Sequence, residues 1–106
     1  MKLGIIIHSS DAETTWNAFR LANLSLTEKD EVKIFLLAKG VEYENLSNEK
    51  FNIFKLAQDF VNNNGKILAC GTCLKLRQKE GTELCPLSSL KDLYKLVEEC
   101  DKVLTF

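Results

Sequence analysis

The sequence predicts an α/β fold, a three-layer open parallel sheet of about five strands with helices on both faces. Three observations predict it. Short aliphatic runs of strand character alternate with amphipathic helical stretches along the chain. The strand runs are mostly aliphatic and β-branched rather than strictly alternating, as expected of strands covered on both faces. No linker, low-complexity tract or internal repeat divides the 106 residues, so a single domain spanning 1–106 is expected.

Each element has its own signal. Lys2 to His8 is aliphatic and β-branched and reads as a buried strand. Ser10 and Glu13 fit a capping box, which predicts a helix over roughly Ala12 to Thr27. Trp16, Phe19, Ala22 and Leu26 recur there at helical spacing. Glu31 to Ala38 reads as a second buried strand, closed by Lys39-Gly40-Val41. Asn48 to Asn63 reads as a helix with Ile53, Phe54, Ala57, Phe60 and Val61 on one face; Gly65 is the expected left-handed residue after it. Lys66 to Ala69 is a third strand, and a helical segment follows over about Thr72 to Lys79. Glu83 to Cys85 reads as a short strand or a loop, ended by Pro86. Ser89 and Asp92 cap a last helix carrying Leu90, Leu93, Tyr94 and Val97, and Lys102 to Phe106 forms the final strand.

Composition narrows the function. Apolar residues make up 45% of the chain, enough for an ordinary core. Fourteen Lys and Arg balance fifteen Asp and Glu, a formal net charge of −1, which gives no support for nucleic-acid or membrane-surface partners. No apolar run approaches the ~20 residues needed to span a bilayer. The opening Met1-Lys2-Leu3-Gly4 does not read as a signal peptide, so a cytoplasmic protein is expected. Four cysteines in such a chain suggest thiols, metal or catalysis before structural disulfides.

The chemistry concentrates in Cys70-Gly71-Thr72-Cys73, directly after the third strand. A cysteine between a strand end and a helix start meets unpaired N–H groups, a setting that favours thiolate. The bland reading is two small buried hydrophobes. Three chemistries fit the motif. Dithiol–disulfide exchange, as in thioredoxin-like proteins, wants a proline opposite the pair; the only proline, Pro86, is close in sequence. Zinc would use Cys70, Cys73, Cys85 and either Cys100 or His8, but these do not form two CxxC knuckles. The third chemistry is one cysteine carrying sulfur as a persulfide, with the other auxiliary. Cys70 and Cys73 are the candidate catalytic residues. His8, at the end of the first strand on the same sheet edge, is auxiliary and reads equally as a structural residue. Cys85 is an auxiliary candidate, as a resolving thiol or second sulfur acceptor. Cys100 reads as packing. No resident cofactor or metal is expected.

Together these residues resemble the DsrE/DsrF-like family, which includes TusD-type sulfur-relay subunits. The resemblance covers the chain. It rests on the opening strand with Glu13 to Ala22, on Val32 to Glu42, on Ala69 to Arg77 and on Glu99 to Phe106, in that order. It implies a flavodoxin-like parallel sheet and homo-oligomers, trimers or hexamers. It implies a sulfur-relay or sulfurtransferase-like role between sulfur-donor and sulfur-acceptor proteins, with sulfane sulfur held as a persulfide at the position of Cys70. Cys73 has no counterpart in the TusD-type pattern. The alternatives are a non-catalytic oligomeric binding module of the same fold, or a thiol–disulfide redox protein using the CxxC. Trp16, Phe51, Phe54 and Phe60 exceed what one small core needs, so some are expected to meet another subunit.

Overall fold

The computed structural model describes residues 1–106. Five strands form one all-parallel sheet: β1 (Lys2–Ile7), β2 (Glu31–Leu36), β3 (Lys66–Cys70), β4 (Leu87–Ser88) and β5 (Lys102–Thr105), in the spatial order β4-β3-β2-β1-β5. Four α-helices connect them: α1 (Ala12–Thr27), α2 (Ile53–Asn62), α3 (Gly71–Leu76) and α4 (Leu90–Glu99). A 3-10 segment, Ala38–Asn45, lies between β2 and α2.

Right-handed crossovers decide which face of the sheet each connecting helix covers. From β1 to β4 the chain steps in one direction, then returns past the whole sheet to place β5 beside β1. Successive residues of a strand face opposite sides. Leu3, Ile5 and Ile7 pair in register with Val32, Ile34 and Leu36, and all six are buried on the side where α1 and α2 pack. Phe19 of α1 stacks on Tyr43 at 5.3 Å and meets Phe60 of α2 edge-on at 6.2 Å, closing that layer. Gly4 and Phe35 face the other side, where α4 lies. A Cβ on Gly4 would stand 2.5 Å from Leu96 and 3.1 Å from the Cys100 sulfur. Glycine at that strand position is what lets α4 approach so closely.

Helices therefore lie on both faces, as expected, but unequally: α4 alone covers the second face. Reversal of the winding sense occurs between β3 and β4, whose outgoing connections lead to opposite sides. In open α/β sheets such a switch, at the carboxyl ends of the strands, is where ligands and chemistry collect. Cys70 and Ser88 are paired there.

Several boundaries differ from expectation. The N-cap of α1 is Asp11, not Ser10: its carboxylate accepts both the Thr14 N–H and the Thr14 hydroxyl at 2.9 Å. The longer carboxylate of Asp11 reaches both Thr14 donors and also brings a negative charge to the helix start. After α2 the left-handed residue is Asn64 (φ 72°), not Gly65, because Asn tolerates that region and the helix ends at Asn62. Helix α2 starts at Ile53; Asn48 instead accepts the Lys50 and Phe51 N–H groups in a local turn, and Asn52 caps. The fourth strand is Leu87–Ser88, while Thr82 and Cys85 close an antiparallel bridge before it. The capping box of Ser89 and Asp92 is present at α4.

Candidate functional site

Cys70 is the last residue of β3 and the N-cap of α3. It is 6% exposed, and its sulfur accepts the Cys73 backbone N–H at 3.4 Å. Cys73, one turn into α3, is half-buried, and its sulfur accepts the backbone N–H of Ala38 at 3.3 Å. Ala38 follows β2, so the two sulfurs lie where the ends of adjacent strands β2 and β3 meet. Each sulfur carries a backbone N–H donor, and the second donor comes from a different element.

Arg77 ties this corner together. Its guanidinium donates to the Cys73 carbonyl at 3.1 Å and pairs with Glu42 at 3.2 Å. Arg77 and Glu42 are partly buried, so the pair is better shielded than a surface ion pair. Burial pushes the Cys73 thiol above its ordinary value, and the Cys70 sulfur adds to the rise; the Ala38 N–H and the Arg77 charge act the other way. Desolvation wins over the donors that favour thiolate.

The other flank of Cys70 is β4. A Cβ on Gly71 would meet the Ser88 carbonyl at 2.8 Å, so glycine lets the chain leave β3 against β4. The Ser88 hydroxyl donates to Asp92 at 2.6 Å, and the Ser89 N–H donates to the same oxygen at 3.1 Å. With the Ser89 hydroxyl donating at 3.2 Å as well, the three donors on Asp92 hold its carboxyl below the usual range. Pro86 lies alongside β3: its carbonyl accepts the Ala69 N–H at 3.0 Å, one residue before Cys70.

The other sequence candidates are not joined to the pair. His8 is on the expected edge but exposed, and β2 lies between its strand and β3, a separation of roughly 10 Å at the strand spacing. Only its backbone is fixed, by the Phe106 carbonyl. Cys85 is 2% exposed and points its thiol at the Val41 carbonyl, 3.7 Å away; burial pushes it up to about 11. It makes no hydrogen bond to Cys70 or Cys73. Beside it the Tyr43 hydroxyl donates to the Leu84 carbonyl. Cys100 is half-buried against Gly4. No group of three or more His, Cys, Asp or Glu side chains converges in a way that could hold a metal ion. Ala38 and Glu42 are the participants that sequence reasoning did not single out. An alanine carries no signal of the left-handed backbone it adopts here (φ 52°).

A family model described as the DsrE/DsrF-like family matches residues 1–106. The chain belongs to the DsrE/DsrF-like family. This DsrE/DsrF-like chain is 32% identical over 114 residues to an uncharacterized protein of Methanocaldococcus jannaschii, covering 100% of both. It is 32% identical over 100 residues to an uncharacterized protein of Methanopyrus kandleri, covering 89% of this chain and 83% of that one. A conserved protein of unknown function from Bacteroides thetaiotaomicron has the same fold, with TM-score 0.77 at 16% identity over 99% of this chain and 94% of that one. No helix of the DsrE/DsrF-like chain is long and apolar enough to cross a membrane.

Proposed function

We propose that this protein is a sulfur-relay component that carries sulfane sulfur as a persulfide on its Cys70–Cys73 pair, between a sulfur-donor and a sulfur-acceptor protein. The observation that carries the reading is the pair itself. Two thiols meet at the carboxyl edge of a parallel sheet, at its switch point, and each sulfur faces a backbone N–H from a rigid element. A persulfide anion is a weaker base than a thiolate, so donors that cannot hold Cys73 ionised suit the charged persulfide better. Four free cysteines fit a reducing compartment such as the cytoplasm. Incubating the reduced protein with glutathione persulfide should add one sulfur atom to the peptide Ile67–Lys75, read by mass spectrometry. The Cys70→Ser, Cys73→Ser double variant should lose that adduct. Loading confined to Cys85 or Cys100 would sink the reading. Rapid closure of a stable Cys70–Cys73 disulfide that thioredoxin reductase turns over would favour dithiol exchange instead.

The carrier works as an assembly of copies of this chain. The aromatic residues expected at a subunit boundary are mostly used internally: Trp16 meets Phe51 at 5.3 Å with Arg20 over its ring at 4.5 Å, and Phe60 is fully buried. Of these residues Phe54 stays 44% exposed, and a further exposed apolar face lies on the outer side of α4, where Leu90, Tyr94 and Val97 are 69%, 68% and 52% exposed. They share one helix face. Lys91 toward the start and Glu98 toward the end flank that face, so a second copy packed antiparallel would set each Lys against a Glu. Such a two-fold contact is one a hexamer contains. Tyr94→Asp should therefore reduce the sedimenting mass at micromolar concentration while leaving the fold intact. A wild-type protein that sediments as a monomer would overturn the assembly.

A further inference from the structure

We propose that Cys73 is the port through which sulfur enters and Cys70 the site that then holds it, with the Ala38 N–H and the Glu42–Arg77 pair positioning the Cys73 sulfur. This rests on the carrier reading and assigns order within it.

Exposure gives the order. Cys70 is 6% exposed and lies beneath the Cys73 backbone, whose N–H it accepts at 3.4 Å. Cys73 is the half-buried member of the pair. An incoming donor meets the Cys73 sulfur first. In dithiol motifs at a helix start the leading cysteine is ordinarily the attacking one, so this arrangement inverts the order the sequence suggests.

Backbone conformation gives the positioning. Four non-glycine residues have positive φ: Lys29, Ala38, Asn64 and Gln78. Lys29, Asn64 and Gln78 each follow the end of a helix, where a left-handed residue is the ordinary way to stop. Ala38 alone follows a strand, so no helix end accounts for it. Its left-handed turn instead accompanies an N–H placed 3.3 Å from the Cys73 sulfur. Strain in a non-glycine residue persists only where the surroundings impose it. They do so here: the Leu37 N–H is fixed to the Ile7 carbonyl at 2.9 Å, and Gly40 is pressed against that same carbonyl. Arg77 completes the setting. It binds the Cys73 carbonyl, is held by Glu42, and brings a positive charge to the sulfur.

The transfer balances without an oxidant. The Cys73 sulfur attacks the outer sulfur of a donor persulfide, R–S–SH. The donor S–S bond breaks, R–S⁻ leaves with the electron pair, and it takes up the proton released by the Cys73 thiol. Cys73 now carries –S–SH. The Cys70 sulfur attacks that outer sulfur in turn. A Cys70–sulfur bond forms, the Cys73–sulfur bond breaks, and Cys73 regains a thiol with the proton given up by Cys70. The persulfide ends on the buried residue, out of reach of competing thiols.

The probe is glutathione persulfide, with mass mapping of Ile67–Lys75. Cys70→Ser should still take up one sulfur atom but retain it on Cys73, where added glutathione strips it. Cys73→Ser should load at least about tenfold more slowly, because its remaining thiol is covered. Loading of Cys73→Ser at the wild-type rate would overturn the port. A second arm needs no sulfur donor: substoichiometric iodoacetamide on the reduced wild type should label Cys73 before Cys70. Labelling of Cys70 first overturns the port however the loading experiment turns out. No sulfur on the wild type, with Cys73 still labelled first, would sink the carrier reading while leaving the exposure order standing. For the positioning role, Arg77→Gln should move the pH midpoint of Cys73 alkylation upward and slow it about threefold at neutral pH, with Arg77→Lys restoring most of the rate. An unchanged profile removes Arg77 from the site.

Discussion

Gly40→Ala should cost about 3 kcal/mol or more of folding stability, near the upper end for overpacking, because the clash is with backbone. A Cβ there would stand 1.9 Å from the Ile7 carbonyl oxygen and 2.7 Å from its carbon. That carbonyl cannot move freely, since it accepts the Leu37 N–H at 2.9 Å at the end of the β1–β2 ladder. Relief therefore requires the segment after β2 to lift off β1. Ala38 would move with it, and its N–H would leave the Cys73 sulfur. Two readouts follow from one change: a large fall in the urea midpoint, and altered alkylation of Cys73 in the fraction that remains folded. Gly4→Ala makes the contrast. Its Cβ would also clash at 2.5 Å, but with the tip of the Leu96 side chain, which can rotate away, so a smaller loss is expected. Equal midpoints for Gly40→Ala and wild type would show that the segment is loosely seated and the Ala38 geometry not imposed.

Alkaline pH should destabilise the protein through Cys85, by about 2 kcal/mol between pH 9 and 11. Cys85 is 2% exposed, donates to the Val41 carbonyl, and its thiol is pushed up from an ordinary 9.0 to about 11, first by burial and then by Glu44. The sign follows from proton counting. Between those two values the unfolded chain has lost the Cys85 proton and the folded chain has kept it, so raising the pH favours unfolding. Below the unfolded value the thiol contributes no slope. Tyr43 is raised too, mainly by burial, and adds to the decline from its own unfolded value of 10.0 upward. Urea midpoints measured under reducing conditions should be level between about pH 6 and 8 and fall steadily above pH 9. Cys85→Ala should start lower, because it removes a buried side chain, and fall less steeply. Parallel pH curves for the two proteins would show that Cys85 is reached by water in the folded state.

Most of the fold was legible because burial on a sheet leaves a pattern in the residues themselves. Ile5-Ile6-Ile7 and Val32 to Leu36 could only be covered strands, and their spacing by a helical stretch required a parallel crossover. Cap residues were legible less well. Serine and aspartate both cap helices, and only the Thr14 donors, which reach Asp11 and not Ser10, separate the two. The short strand Leu87–Ser88 was not legible, since two residues hold no periodicity; it exists because β3 offers it an edge.

For the candidate site, local sequence located Cys70 and Cys73, because a strand, a CxxC and a helical pattern are contiguous in the chain. It did not reveal that the second cysteine is the accessible one. Nor did it join Ala38 or Glu42 to that corner, since their contacts with Cys73 and Arg77 cross between elements 35 residues apart. His8 shared a sheet edge in the sequence reading, but strand order placed β2 between it and the pair.

By itself, then, the sequence determined the alternation of strands and helices, the family, and where Cys70 and Cys73 fall between a strand and a helix, all of which depend on neighbours in the chain. Tertiary structure alone decided which sulfur faces outward, which backbone N–H meets it, and why Cys85 stays protonated. Exposure, desolvation and hydrogen-bond geometry are set by what packs from distant segments, and here that is the turn after β2, held down by Gly40 against β1.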